Sequence, residues 1–323
     1  MHSIVLILPY FGEFSASNAF WLKSAEKNPE VDFLLLTDQH VDVLSPNVRV
    51  IGISFKKCVE GFQRMLDCDI SSLHPYKLCD FKPAYGYLFQ EYIRGYDFWG
   101  HCDNDIILGN IRHFITEEVL EGNDRILTRG HFTLYRNTAE VNETFKKASP
   151  SYKTVFPSEL VFHFDEHPGT GRYWFDHRAD RLYDEIVFDD LDWHDWQFKD
   201  VHKHDTIDKG RRHFIYQFEN GNLYRCFWED GHVGREEIMY AHFQKRDMKT
   251  ETPVADCFTI VPNKFVEYEP HLTHAYLKKN TLPRPLYAPL HFVRVKWNSL
   301  KRKVWLWKRR RQRKTGESHT GCR

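Results

Sequence analysis

The chain has 323 residues, 41% hydrophobic and 15% aromatic, with 45 Lys/Arg balanced by 45 Asp/Glu. That composition excludes a disordered or low-complexity chain and allows a large buried core. The neutral total hides an asymmetry. Arg294 to Lys314 holds eleven Lys/Arg and no Asp/Glu, which leaves 34 basic against 45 acidic residues elsewhere. The pattern is an acidic body with a basic tail.

The seven cysteines are odd in number and form no Cys-x-x-Cys pair. A disulfide framework or zinc ribbon is not expected, and a reducing compartment is. The N-terminal Met-His-Ser-Ile-Val-Leu-Ile-Leu-Pro-Tyr lacks a basic n-region and a cleavage site, and its apolar run is too short to span a bilayer. The expectation is a cytoplasmic protein.

In chain order, residues 3–8 read as a strand and 17–26 as a helix capped by Ser17 or Asn18. Val31 to Leu36 and Val48 to Ile53 read as further strands, with Asn28-Pro29 breaking the helix. Their apolar runs are continuous rather than alternating, which predicts a mainly parallel sheet covered on both faces. Residues 83–94 read as a helix with Pro83 at its first position. Residues 96–109 hold two apolar runs around Asp103-Asn104-Asp105, so a buried strand ends in two carboxylates. Ligands of open parallel sheets bind at such strand ends. Short strands follow at 126–128 and 132–135, and a late one at 256–262; residues 160–235 show little periodicity and yield no assignment. A single domain over 1–280 with an appended tail, 281–323, is the simplest organisation.

Two hard oxygen donors at a strand end suit Mg²⁺ or Mn²⁺, particularly beside a diphosphate; an Asp-rich turn is the plain alternative. Lys82 lies where a helix entrance would favour an anion, so it reads either as a phosphate ligand or as a solvated surface lysine or one paired to Asp80. His242 offers a third metal donor, with Lys245 or Arg246 reaching a phosphate. Arg129-Gly130-His131 forms a turn between short strands that would present polar side chains beside the metal. Asp165 and Glu166 offer a carboxylate base or a hydroxyl acceptor, and Trp174, Trp193 and Trp196 offer faces for sugars. The histidines 194, 202, 204 and 213 have no zinc-like spacing.

In the tail, Val293, Trp297, Leu300, Val304 and Trp307 recur at spacings of four and three, flanked by Lys and Arg. This predicts a basic amphipathic helix over 293–314 lying on an anionic membrane, rather than a nucleic-acid-binding segment.

Together these features resemble GT-A glycosyltransferases, and most closely a bacterial family found in capsule and surface-polysaccharide gene clusters. The resemblance rests on Ile-Leu-Pro-Tyr-Phe-Gly at 7–12, Lys-Leu-Cys-Asp-Phe-Lys-Pro-Ala-Tyr-Gly at 77–86 and Phe-Trp-Gly-His-Cys-Asp-Asn-Asp at 98–105. Gly-His-Phe-Thr-Leu-Tyr-Arg-Asn at 130–137 and Ala-His-Phe-Gln-Lys-Arg at 241–246 continue it. It implies a GT-A, Rossmann-like α/β fold with a mixed, mainly parallel sheet. It further implies a transferase moving sugar from a UDP-sugar or other nucleotide-sugar to a glycan or lipid-linked acceptor at the inner face of the plasma membrane.

By the same resemblance Asp103, Asp105 and His242 would bind Mn²⁺ or Mg²⁺, with Asn104 beside the donor and Lys245 neutralising phosphate. Pro9, Tyr10 and Phe11 would border the base, Asp80 and Lys82 the ribose or phosphate, and His131 the transferred sugar. The chain departs from the pattern after His242, where Gly and Lys-Pro are usual and Phe243-Gln244-Lys245-Arg246 stands instead. Asp165 or Glu166 would act as base in an inverting enzyme or position hydroxyls in a retaining one, and retention is favoured. The alternatives are a nucleotidyl- or phosphoryl-transferring metal enzyme, for which no Gly-rich phosphate loop is present, and a non-catalytic membrane-binding protein.

Overall fold

A computed structural model describes residues 1–43, 45–71, 73–166, 169–202 and 214–284, together with Val293, Lys296, Trp297, Leu300 and Val304. The first half holds β1 (Ile4–Tyr10), β2 (Asp32–Thr37), β3 (Val48–Gly52), β4 (Phe98–Cys102), β5 (Ile106–Leu108), β6 (Arg125–Arg129) and β7 (Phe132–Arg136). Then come β8 (Leu182–Tyr183), β9 (Asp189–Asp190), β10 (Phe214–Glu219), β11 (Asn222–Glu229), β12 (His232–Ile238), β13 (Tyr240–His242), β14 (Lys249–Thr250), β15 (Cys257–Val261) and β16 (Lys264–Val266). The main sheet has the order β3-β2-β1-β4-β7-β6-β8. Strands β1 to β4 are mutually parallel, and β7 runs antiparallel to both β4 and β6. The protein is thus a mixed α/β structure, with its parallel strands ending along one edge.

The continuous apolar runs have the expected cause. Along β1, Val5 and Ile7 enter one core while Ile4, Leu6 and Leu8 enter another on the opposite face. Successive side chains alternate across a strand, so a sheet covered on both sides requires apolar residues at every position. One face is covered partly by α1 (Asn18–Glu26) through Trp21 and Ala25, the other partly by α2 (Phe55–Met65) through Cys58, Val59 and Phe62.

A second sheet, β12-β11-β10-β15-β16-β14, lies partly in the stretch where periodicity gives no assignment, and its β15 is the late strand expected at 256–262. Two of its hairpins have two-residue loops with glycine second, Asn220-Gly221 between paired Glu219 and Asn222, and Asp230-Gly231 between paired Glu229 and His232. All four loop residues have positive φ, between +49° and +104°. Asn-Gly and Asp-Gly are the dipeptides that adopt this geometry at least cost, so the hairpins were legible in the chain. A third, small sheet has the order β5-β13-β9.

Two expectations about helices fail. Residues 83–94 do not form one helix. Pro75–Ala84 is a run of 3₁₀ turns, Tyr85–Leu88 makes a single α-helical turn, and turns follow to Gly95. Pro83 supplies no N–H and restricts Lys82, so an α-helical ladder cannot run through the segment. Ser17, for its part, makes no side-chain cap; its hydroxyl pairs with Ser15 instead.

In the tail, Val293, Trp297, Leu300 and Val304 have helical backbone and are exposed, whereas Trp307 and most of residues 285–323 lie outside the described residues. Among the described residues no helix is long and apolar enough to cross a membrane, and six cysteines are free.

Close packing gives a direct test. A Cβ at Gly86 would lie 2.2–2.5 Å from three atoms of the Trp99 indole. That indole is fully buried, stacked on Tyr135 at 4.4 Å and bonded through Nε1 to Asn142. It has little room to yield. Gly86→Ala is expected to lower stability by about 1–3 kcal/mol in urea unfolding, despite alanine's better helix propensity.

Candidate metal centre

The site forms where three backbone constraints meet. Strand β4 ends at Cys102, and the chain turns through Asp103-Asn104-Asp105 before β5 begins. Asp103 N–H donates to the His131 carbonyl at 3.0 Å, which ties this turn to the β6–β7 turn. Strand β13 then pairs antiparallel with β5, setting His242 opposite Ile106, and Phe243 N–H donates to the Asp105 carbonyl at 2.9 Å. Asn104 Nδ2 donates to Asn18 Oδ1 at 3.2 Å, so the supposed cap residue anchors the turn to α1.

Donor atoms of Asp103, Asp105 and His242 lie within 4.8 Å of one another. His242 Nε2 stands 3.4 Å from Asp105 Oδ1, a buried oxygen that accepts no well-formed hydrogen bond. Adjacent donors around an octahedral ion with bonds of about 2.1 Å are separated by about 3 Å. Two carboxylates and one imidazole, all partly open to solvent, therefore fit a divalent ion that keeps positions for another ligand. Burial opposes a charge on His242, but the carboxylates of Asp105 and Asp190 outweigh it and lift its pKa to about 10. The site is built for positive charge, and an ion would displace that proton.

Lys82 is placed differently from either reading of the sequence. Its ammonium donates to Asp103 Oδ1 at 2.6 Å and to the Gly130 carbonyl at 2.7 Å, with Asp165 Oδ2 at 3.8 Å. It lies inside the 3₁₀ run rather than at a helix entrance, and Asp80 is not its partner. Burial opposes its charge, but Asp103 and Asp165 hold its pKa well above the usual lysine value. Asp80 is withdrawn from the site altogether. Fully buried, it pairs with Lys77 at 2.6 Å and accepts the N–H groups of Phe162 and Phe164. Its carboxylate fastens the 3₁₀ run to the 160–166 segment, so it has no part in binding ribose or phosphate.

Segment 160–166 delivers Asp165 and Glu166 to the β6–β7 turn. Glu166 Oε1 accepts from Gly130 N–H at 3.2 Å, and a Cβ at Gly130 would stand only 2.5 Å from that oxygen and 2.9 Å from Asp165 Oδ2. Asp165 is 2% exposed, too enclosed to meet an acceptor, whereas Glu166 is half-buried. Burial raises the Asp165 pKa to about 7 against the pull of Lys82, with Glu166 and Asp103 adding to the rise. His131 is buried and held well below the usual histidine range by that burial and by His242, so it is neutral; its Nδ1 pairs with the Tyr240 hydroxyl at 3.0 Å.

Other expected site residues divide. Pro9 and Tyr10 are partly open at the end of β1, Tyr10 stacked on Phe14 at 4.7 Å. Phe11 belongs to the core and meets Phe55 edge-on, so it does not border a ligand. Lys245 is exposed, 5.0 Å above the Trp193 ring. Arg246 is buried, its guanidinium spent on the carbonyls of Asp192, Trp196 and Gln197, and cannot reach a phosphate. Trp174 is fully buried and unavailable to a sugar. Along the same sheet edge a cleft of about 520 Å³ opens at the ends of β2 and β3, lined by Thr37, Asp38, Gln39, His40, Ser54 and Lys57.

Asp190 was missed. It accepts from His242 Nδ1 at 2.8 Å and from Gln244 Nε2 at 2.7 Å, and with His131 and His242 it makes a second cluster of possible donors. Its signal was present: Val187-Phe188-Asp189-Asp190 repeats the pattern of an apolar run ending in acid that marks Asp103.

The raised Asp165 pKa has a pH consequence. A carboxyl ionising near pH 7 when folded and near pH 4 when unfolded contributes stability that is full below about pH 4 and is lost as pH rises to about 7. Asp165→Asn removes that dependence. Urea unfolding at pH 4.5, 6 and 7.5 should show a smaller loss of stability with rising pH in the variant than in the wild type.

The whole of this scaffold, from within β1 to just beyond β16, falls inside one family model, which matches residues 6–269. No curated protein matches the chain. By that match the chain belongs to DUF6625, a family of unknown function.

Proposed function

We propose that the chain is a metal-dependent glycosyltransferase of the GT-A type, moving a sugar from a nucleotide-sugar, a UDP-sugar first, to a glycan or lipid-linked acceptor. The observation that carries this reading is the convergence of Asp103, Asp105 and His242 where the parallel strands end, on the edge that also bears the cleft. A strand-end carboxylate pair with an open face is what a bound diphosphate requires, and no step needs a strong protein acid.

When bound to Asp103, Asp105 and His242, Mn²⁺ or Mg²⁺ supplies Lewis-acid stabilisation of the charge growing on the leaving diphosphate. The chain's own residues do the rest. Lys82 holds Asp103 in place and offsets the negative charge that gathers there. The cleft at Thr37, Asp38 and Ser54 offers hydrogen-bonding groups to a base and ribose. Half-buried Glu166 lines the turn next to Asp103 and suits the transferred sugar's hydroxyls, while buried His131, paired with Tyr240, braces that turn through its carbonyl rather than meeting the sugar. Asp165 is enclosed and the Gly130 amide holds Glu166 Oε1, an arrangement that suits Glu166 to positioning hydroxyls more than to taking a proton. That favours retention, in which the donor's own phosphate oxygen takes the acceptor proton. The exposed helical Val293, Trp297, Leu300 and Val304, within a segment carrying eleven cations, support docking on an anionic membrane that holds the acceptor.

Calorimetry decides the donor reading. Wild type should bind UDP in the presence of Mn²⁺, and Asp105→Ala should lose at least tenfold in affinity. A wild type that binds no sugar nucleotide with or without metal would defeat it. For the tail, the full chain should float with vesicles containing phosphatidylserine, and the double variant Trp297→Ser, Leu300→Ser should remain with the soluble fraction. Equal flotation of both would remove the membrane role.

A further inference from the structure

Strand β13 lies between β5 and β9, and its parallel register with β9 sets His242 beside Asp190. On one side the His242 ring faces Asp105 through Nε2 at 3.4 Å. On the other, Nδ1 meets Asp190 Oδ1 at 2.8 Å. Gln244 Nε2 donates to that same oxygen at 2.7 Å, and it reaches there because Gln244 has a left-handed backbone, φ +51°. Such a backbone strains a residue with a Cβ, which marks a position held by its surroundings. The Asp190 amide is fixed in turn by Asp200 Oδ1 at 3.1 Å, and Asp190 Oδ2 faces His202 Nε2 at 3.6 Å and His131 Nε2 at 4.0 Å. The Gln244 amide and the anchored Asp190 backbone thus hold Oδ1 against the far edge of the His242 ring.

We propose that Asp190 is the positioning residue of the metal centre: it keeps the His242 Nδ1 proton on its Oδ1, so that Nε2 is the nitrogen presented to the ion. The assignment rests on the metal reading above and deepens it. An ion at Asp103, Asp105 and His242 leaves the Asp190 Oδ1 bonds to His242 and Gln244 intact. A carboxylate behind a metal-bound histidine raises the basicity of the ligand and fixes its ring, and loss of such a partner weakens metal binding about 10–100-fold.

The test uses the full chain with Mn²⁺ alone, and then with ¹¹³Cd²⁺ on protein carrying ¹⁵N-histidine. Asp190→Ala is expected to raise the Mn²⁺ Kd about 10–100-fold, with Asp190→Asn, which keeps an acceptor oxygen without the charge, in between. In the wild type the ¹¹³Cd–¹⁵N coupling should fall on Nε2 of one histidine and vanish in His242→Asn; in Asp190→Ala it should weaken or spread to Nδ1. A merely structural role would not move which nitrogen couples. Mn²⁺ binding by Asp190→Ala within twofold of the wild type, or wild-type coupling through Nδ1, would overturn the proposal. Should Asp190→Ala fail to fold, Asp190→Asn and Gln244→Ala carry the test, and unchanged Mn²⁺ affinity in both overturns it. A wild type that binds no Mn²⁺ would defeat the metal reading itself, an outcome distinct from all of these.

Discussion

The site depends on a short piece of backbone ladder. Strand β13 is only three residues long, yet its pairing with β5 on one side and β9 on the other puts one imidazole between carboxylates from distant parts of the chain. Register in a sheet is all-or-none for side-chain direction, because a one-residue slip turns every side chain to the other face. Slipped by one residue, β13 would present Ala241 or Phe243 where His242 stands. The two cores that bury the neighbouring apolar residues of β5 and β13 make such a slip costly, since Ile106 and Tyr240 belong to one and Ile107 and Ala241 to the other.

Charge is managed around the ladder rather than on it. Asp103, Asp105, Asp165, Glu166 and Asp190 gather within one region, and their mutual repulsion would oppose folding. Lys82 relieves part of it by bonding Asp103 and approaching Asp165, and His242 relieves more by carrying a proton beside Asp105 and Asp190. Asp165 takes the remaining course for a buried acid, a raised pKa that keeps it partly protonated near neutrality.

The contrast between Lys77 and Lys82 shows why sequence position alone misassigns such residues. Both lie in the same 3₁₀ run, five residues apart, and both are buried and paired to an aspartate. Lys77 and Asp80 are fully enclosed and pin the 160–166 segment, a structural task. Lys82 and Asp103 reach the partly open turn. Nothing local separates the two pairs; the difference is which surface the run presents to the sheet end.

From the sequence alone the parallel strands were readable, because a sheet covered on both faces leaves continuous apolar runs, and so was the carboxylate turn that interrupts one of them. The Asn-Gly and Asp-Gly hairpins were also written there, since only a few residues tolerate positive φ, although the absence of periodicity around them concealed the second sheet. Tertiary structure alone decided which aspartate pairs with which lysine, that Phe11, Arg246 and Trp174 serve packing, and that Asp190 stands behind His242. Those outcomes follow from contacts between residues far apart in the chain, such as Asp190 with His242, 52 positions on. Local patterns register the periods and turns of the backbone; they carry no record of which distant side chains the packing of sheets brings within bonding distance.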